Sequence, residues 1–263
     1  MSGHPLAQVP ALLGASGRLA VATIVSAKGS TPRAAGARIL VLPDGSLRST
    51  IGGGLFEARV RADAMDLLSG GGAPFLRDYA VRPDGDGAVP GVCGGTVTVF
   101  FEIVENAPQL LIVGAGHCGR ALARLAAPAG FDVTVADDRG ELLNRTDFPE
   151  PIRLLPLSPG LGDLPSPAPG SSVAIVSRGH VTDGVALRRF RGTAAGYLGM
   201  MGSKSKRKVL FDELAAEGWT PDELARVHCP IGLPIGAETP EEIAVSILAE
   251  VIRTRRLPVA ATP

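Results

Sequence analysis

The residues best suited to chemistry lie in two glycine-dense stretches of unlike kind. Gly114-Ala-Gly116-His117-Cys118-Gly119 follows the apolar run Leu110-Leu-Ile-Val113. Asp137, twenty-three residues after Gly114, closes a second apolar run, Val133-Thr-Val-Ala. Strand, tight turn, helix and then an acid is the pattern in which bare backbone N–H groups meet a phosphate and a carboxylate receives a ribose diol. It admits NAD(P) as a cofactor. The same glycines would also serve if they only let a helix pack closely on a sheet, since this fold hosts many ligands. The other stretch, Gly52-Gly53-Gly54, leads into Leu55-Phe56-Glu57 with no hydrophobic strand running straight into it. It reads as a separate cradle, which an ordinary dehydrogenase does not need.

Further candidates flank these stretches. Lys28-Gly-Ser-Thr-Pro32-Arg33 carries two cations and two hydroxyls in a loop, and Arg33 offers a fork of donors for a phosphate or a ring oxygen. Cys93-Gly94-Gly95 begins a strand after a flexible loop. A glycine-flanked thiol near cations could carry persulfide sulfur or ligate a soft metal, and an inert, partly buried thiol is the competing reading. Cys118 reads as packed against the sheet, and Cys229 carries no signal. Three loops should leave the carboxyl ends of parallel strands and converge on one rim: Gly114 to Gly119, Ser177-Arg178-Gly179-His180 with Asp183, and Gly199-Met-Met-Gly202-Ser203-Lys204. Ser203 and Lys204, hard against a glycine at a helix start, favour an anion, whereas Lys206, Arg207 and Lys208 read as a solvated basic face. His117 and His180 face the ligand in this arrangement without a carboxylate partner that would make a metal site.

The elements that must position these residues divide into two sets. Residues 1–105 read as a small α+β domain: strands over 19–25, 37–42, 75–81 and 96–104, with a helix from Leu55 ending at Gly70-Gly-Gly72. Residues 106–263 alternate strand and helix: strand 110–113, helix 117–128, strands 131–136, 152–155 and 173–177, helix 183–191, strand 195–199 and helix 204–217. Such alternation means a parallel sheet with helices on both faces, a Rossmann-like α/β unit. Thr239-Pro240-Glu241-Glu242 combines an N-cap, a first-turn proline and a capping-box glutamate, and opens a last helix. The cradle at Gly52 to Gly54, the Pro32-Arg33 loop and the Ser203-Lys204 rim are expected to serve one ligand.

Bulk properties narrow the class. Of 263 residues, 45% are hydrophobic and 4% aromatic, with 34 glycines, an aliphatic core typical of mixed α/β proteins. Lys plus Arg and Asp plus Glu both number 26, so no global charge points to nucleic acid or an anionic membrane. No stretch of eighteen apolar residues occurs and the start lacks an apolar leader, which predicts neither membrane spanning nor export. Three cysteines without Cys-x-x-Cys spacing point to a reducing, cytoplasmic setting.

Taken in order, the motifs resemble the XdhC/CoxI family, accessory proteins of xanthine dehydrogenase and related molybdenum hydroxylases. The resemblance rests on Gly29-Ser-Thr-Pro32-Arg33 with Gly36-Ala-Arg38, Asp44-Gly45, Ile51-Gly-Gly-Gly54 with Glu57, and Cys93-Gly-Gly95. It continues through Gly114-Ala-Gly116-His117, Arg178-Gly-His180 with Asp183, Tyr197-Leu-Gly-Met-Met-Gly202-Ser-Lys204, Pro230-Ile-Gly-Leu-Pro-Ile-Gly236 and Thr239-Pro-Glu-Glu-Ile-Ala244. Cys118 and Phe56 are minor departures. The resemblance implies a protein that binds molybdenum cofactor, Mo-molybdopterin, a pterin dithiolene bearing a phosphate. It further implies support of the cofactor's sulfuration by a cysteine desulfurase and delivery to an apo molybdenum hydroxylase. A homodimer is a family-level expectation with no interface legible in the residues. On this reading Cys93 is the reactive thiol and metal ligand. An NAD(P)-dependent oxidoreductase and a nucleotide-binding regulator are the alternatives.

Overall fold

The computed structural model describes residues 4–70, 72–82, 89–90 and 94–257. The chain forms two compact units, Met1–Asn106 and Ala107–Pro263. In the first, α1 (Val9–Ser16), β1 (Arg18–Lys28), β2 (Arg38–Val41), β3 (Leu47–Arg48), α2 (Gly54–Gly70), β4 (Phe75–Arg82), β5 (Val89–Pro90) and β6 (Gly95–Glu105) follow one another. The six strands make a sheet in the order β3-β2-β1-β6-β4-β5. All of its pairings are antiparallel except β4 with β5. Strand β1 shows why two faces exist. Side chains alternate along a strand, so Ala20, Ala22 and Ile24 enter the core beneath α2, while Leu19 and Val21 join Leu40 and half-buried Leu12 and Leu13 of α1. Helix α2 buries Phe56, Val60, Ala64, Leu67 and Leu68 at the spacing of one helical face. Phe56 turns inward, edge-on to Tyr79 at 5.5 Å between ring centroids. Strand β1 runs to Lys28, which pairs with Thr96, so that lysine belongs to the strand and not to the loop after it.

The second unit runs β7 (Gln109–Val113), α3 (His117–Ala126), β8 (Asp132–Asp137), β9 (Arg153–Pro156), β10 (Ser172–Ile175), α4 (His180–Phe190), β11 (Tyr197–Met200), α5 (Lys204–Ala216), α6 (Pro221–Ala225), β12 (Val227–His228) and α7 (Pro240–Arg256). Its six strands are all parallel, in the order β12-β11-β10-β7-β8-β9. Read from β9, this is the doubly wound order 3-2-1-4-5-6, whose switch point lies between the first and fourth strands, β7 and β10. One core packs under α3 and α7 and the other under α4 and α5. Helix α4 begins three residues earlier than its apolar spacing predicts. Gly179 stays extended at its N-cap, and Asp183 therefore sits in the first turn.

Candidate functional site

In the first unit, three of the sequence motifs come together. The end of β1 and the loop after it lie directly on the start of β6: a Cβ at Gly95 would stand 2.5 Å from the carbonyl oxygens of Lys28 and Ser30. Only glycine permits that approach. Two residues further on, Pro32 packs against the glycine cradle, where a Cβ at Gly52 would stand 2.3 Å from Pro32 Cβ. Gly52 also holds φ +132°, a conformation that L side chains avoid. The loop that ends in Arg33 is thus clamped between Gly94-Gly95 and Gly52. Cys93 itself lies outside the described residues. Arg33 is exposed, and no ion pair holds it among the described residues.

Glu57 engages the cradle's own backbone through one oxygen. Its Oε2 accepts from Thr50 Oγ1 (2.5 Å) and from the backbone N–H groups of Ile51 (3.1 Å) and Gly53 (3.3 Å). Gly52 N–H in turn donates to Thr50 Oγ1 at 3.2 Å. A carboxylate in the first turn of α2 braces the loop from behind, and that oxygen is committed to the protein. Gly53 and Gly54 hold φ +75° and +66°, and Ser49, beside them, also lies in the left-handed region at +69°. Strain at a non-glycine residue of this kind concentrates where structure serves a ligand.

In the second unit, the carboxyl ends of the parallel strands form the rim. Gly114 leaves β7 so close to the end of β10 that a Cβ would stand 2.6 Å from the Val176 carbonyl oxygen. Gly119 lets α3 settle on the turn, since a Cβ there would overlap the Gly114 carbonyl at 1.9 Å. Gly116, at the N-cap of α3, faces open space and His117 is exposed. The first and third glycines therefore serve packing, and the second stands where a ligand could approach.

Asp137 ends β8 as expected and is 3% exposed. It does not point into a ribose-sized space. The crevice that it lines with Gly114, Ser177, Arg178 and Arg139 has a volume of about 10 Å³, room for about one water. Asp137 Oδ1 accepts from Arg139 N–H (2.8 Å) and Nε (2.9 Å), and Oδ2 from Ala115 N–H (2.6 Å) and Arg139 Nη2 (2.8 Å). Burial alone would lift the Asp137 carboxyl. The Arg139 guanidinium and the two backbone N–H groups outweigh it and hold the carboxyl below its ordinary value. Arg178 is exposed, 3.9 Å from Asp138. His180 opens α4 with Nε2 3.8 Å from Glu213 Oε1, and that nitrogen is buried without a hydrogen-bond partner.

At the basic start of α5, Arg207 and Lys208 are exposed as a solvated face should be, and Lys206 departs from that reading. Lys206 pairs with Asp183, which is fully buried and also accepts from Ser177 Oγ at 2.5 Å. Arg207 stacks on Phe211 at 4.7 Å, and Lys208 meets Asp212 at 2.9 Å. Ser203 Oγ accepts from Lys206 N–H at 3.1 Å and so acts as the α5 N-cap; Lys204 remains exposed. Cys229, unmarked by spacing, stands on the same rim. A Cβ at Gly202 would lie 3.5 Å from its Sγ and 3.2 Å from the Lys206 stem. Burial raises its pKa against the pull of Arg207 and Lys206, and burial likewise raises that of Cys118. The sequence carries no signal for Cys229, because the strand β12 before it is only two residues long. Behind the rim, Glu250 accepts from Tyr197 OH (2.6 Å) and Gly232 N–H (2.8 Å) and meets His228 Nδ1 at 3.1 Å, which ties α7 to β11 and β12.

Fold and site define a two-unit α/β protein. Its C-terminal unit is a doubly wound parallel sheet, and its N-terminal unit carries a separate glycine cradle. Residues 110–251 match the XdhC Rossmann domain and residues 12–80 match the XdhC and CoxI family; the chain belongs to that family. It is 37% identical over 90% of its length to the uncharacterized protein YqeB of Escherichia coli K12, covering 43% of that protein. It is 32% identical over 61% of its length to a probable xanthine dehydrogenase subunit of Bacillus subtilis 168, covering 47% of it. The chain thus spans a little under half the length of these two relatives. It is also 25% identical, over 94% of its length and 86% of the relative's, to the molybdenum cofactor insertion chaperone PaoD of E. coli K12. A crystal structure described as a xanthine dehydrogenase from Bacillus halodurans shares the fold. Its TM-score is 0.53 at 21% identity, covering all of this chain and 98% of that one.

Proposed function

We propose that this chain is an accessory protein of molybdenum hydroxylase maturation, which binds molybdenum cofactor, keeps it while a cysteine desulfurase supplies sulfur, and passes it to the apo-hydroxylase. The observation that carries this reading is the convergence in the first unit. The Arg33 loop is clamped between Gly52 and Gly95, and exposed Arg33 follows the proline that packs on the glycine cradle, whose backbone Glu57 braces. A phosphate-bearing pterin fits such a set. An arginine fork suits the phosphate, and Arg33 lies exposed at the end of its loop. Pro32 positions the loop and Arg33 contacts the ligand. Cys93, next to Gly94-Gly95, is assigned the transient sulfur-carrying or metal-ligating role. Family membership and the PaoD relative support the same direction.

The experiment is mass spectrometry of the small molecules that co-purify with the chain expressed in cells that make the cofactor. A pterin is expected with the unaltered chain, and Arg33→Ala should retain about tenfold less, the scale of one lost charge-assisted contact. Cys93→Ser should keep the pterin yet fail to activate an apo-hydroxylase in reconstitution. Nicotinamide nucleotide in place of pterin would overturn the reading. Full activation by Cys93→Ser would remove the thiol from the mechanism.

A further inference from the structure

We propose that Arg139 is a specificity-determining residue: its guanidinium fork occupies the position on Asp137 where the ribose diol of an adenine dinucleotide would bind, so that the C-terminal unit refuses NAD(H). The acid at the end of the second strand of a doubly wound sheet receives such a diol through its two oxygens. A carboxylate has about four acceptor positions, two on each oxygen. In Asp137 all four are filled. Two go to backbone N–H groups, Ala115 on Oδ2 and Arg139 on Oδ1, and these belong to the fold of the loops. The other two go to Arg139 Nη2 on Oδ2 and Nε on Oδ1. That leaves one side-chain position on each oxygen, taken by a planar pair of donors. It is the set that a vicinal diol would use.

The surroundings agree. The carboxylate is 3% exposed, and the crevice in front of it, about 10 Å³, holds no sugar. A 2′-phosphate would fare no better while the fork stays in place, because it would approach a carboxylate whose counter-charge is already engaged. The glycine turn before α3 reads as a dinucleotide site by spacing, and the residue two positions past the acid cancels it. The inference is independent of the maturation reading, since a chain that carries a pterin and one that does not make the same prediction here.

Isothermal calorimetry of the full chain with NADH and NADPH tests it. The unaltered chain should show no saturable heat with either. Arg139→Ala, and Arg139→Met where the stem is needed for packing, free one acceptor on each oxygen and should bind NADH at least about tenfold more tightly, the scale of hydrogen bonds to a charged group. Adding Asp137→Asn should abolish the gain, which a general loosening of the rim would not do. Micromolar NADH binding by the unaltered chain overturns the proposal without any variant. Tight NADPH binding by it also does, by showing that the fork leaves Asp137 for a phosphate. Folded Arg139 variants, judged by a cooperative melt, that bind NADH no better than the unaltered chain overturn it as well.

Discussion

Lys206 and Asp183 form an ion pair whose two ends are unequally placed. Asp183 is fully buried, while the Lys206 side chain keeps about a quarter of its surface in solvent. The pair joins the first turn of α4 to the first turn of α5, with Ser177 as the second donor to the carboxylate. Removing the lysine strands a buried charge with one hydroxyl partner, a loss of roughly 3–5 kcal/mol when a buried pair is broken. Removing the acid instead releases a lysine that can reach water, and Asp183→Asn keeps an acceptor for Ser177. Its cost is that of an ordinary hydrogen bond to a charged group, about 1.5–3 kcal/mol. Urea unfolding should therefore find Lys206→Met clearly less stable than Asp183→Asn. The reverse order would mean that the carboxylate's burial is relieved in solution. The role of Lys206 is not legible in the residues around it. A run of four cations within five residues reads as solvated, and nothing local shows that one of them reaches an acid twenty-three positions earlier.

At the scale of elements, two helices open on the same signal and differ in what they hold. Thr239-Pro-Glu-Glu and Thr220-Pro-Asp-Glu both close a capping box, the threonine accepting from the third residue's N–H and the glutamate accepting from the threonine's. Helix α7 buries Ala244, Ile247, Leu248 and Val251 against the core under α3, whereas the five-residue α6 offers only half-buried Leu224 to the core under α5. Loss of the α7 cap must be felt by the whole core, at about 1 kcal/mol. Loss of the α6 cap frays one turn locally. Thermal unfolding should then place Thr239→Ala below Thr220→Ala, and equal shifts would show that α6 is more firmly docked than its burial indicates. The α7 box is legible from four residues because every part of it is local. The α6 box carries nearly the same letters but no apolar face behind it to announce a helix. Helix α1 is illegible for the converse reason: Val9, Leu12 and Leu13 are only half-buried, and no side chain caps its start.

At the scale of the molecule, the strand–helix alternation after residue 109 is enough to dictate a parallel sheet wrapped by helices, because parallel strands need a crossover and helices are the ready means. What the residues alone hide is which groups are already spoken for. Glu57 and Asp137 both stand at motif positions that suggest a ligand, and Glu57 commits one oxygen and Asp137 both to neighbours whose positions only the folded chain reveals. The cores show a parallel division. Two hydrophobic clusters draw all their residues from Met1–Asn106, and the other two draw theirs from Ala107–Pro263. A unit of roughly 150 residues buries about 68–70% of its extended-chain surface, enough to fold by itself. The two cores under the parallel sheet are closed by α3, α4, α5 and α7, all from the same unit. A fragment covering residues 107–257 is therefore expected to fold alone, with the far-ultraviolet spectrum of an α/β protein and a single cooperative melt. Its near-ultraviolet signal from Trp219, which is 6% exposed in the core under α5, should match that of the same residue in the full chain. A fragment that binds a hydrophobic dye and melts without cooperativity would mean that the second unit's core is completed by contacts outside it, and that the unit is not an autonomous fold.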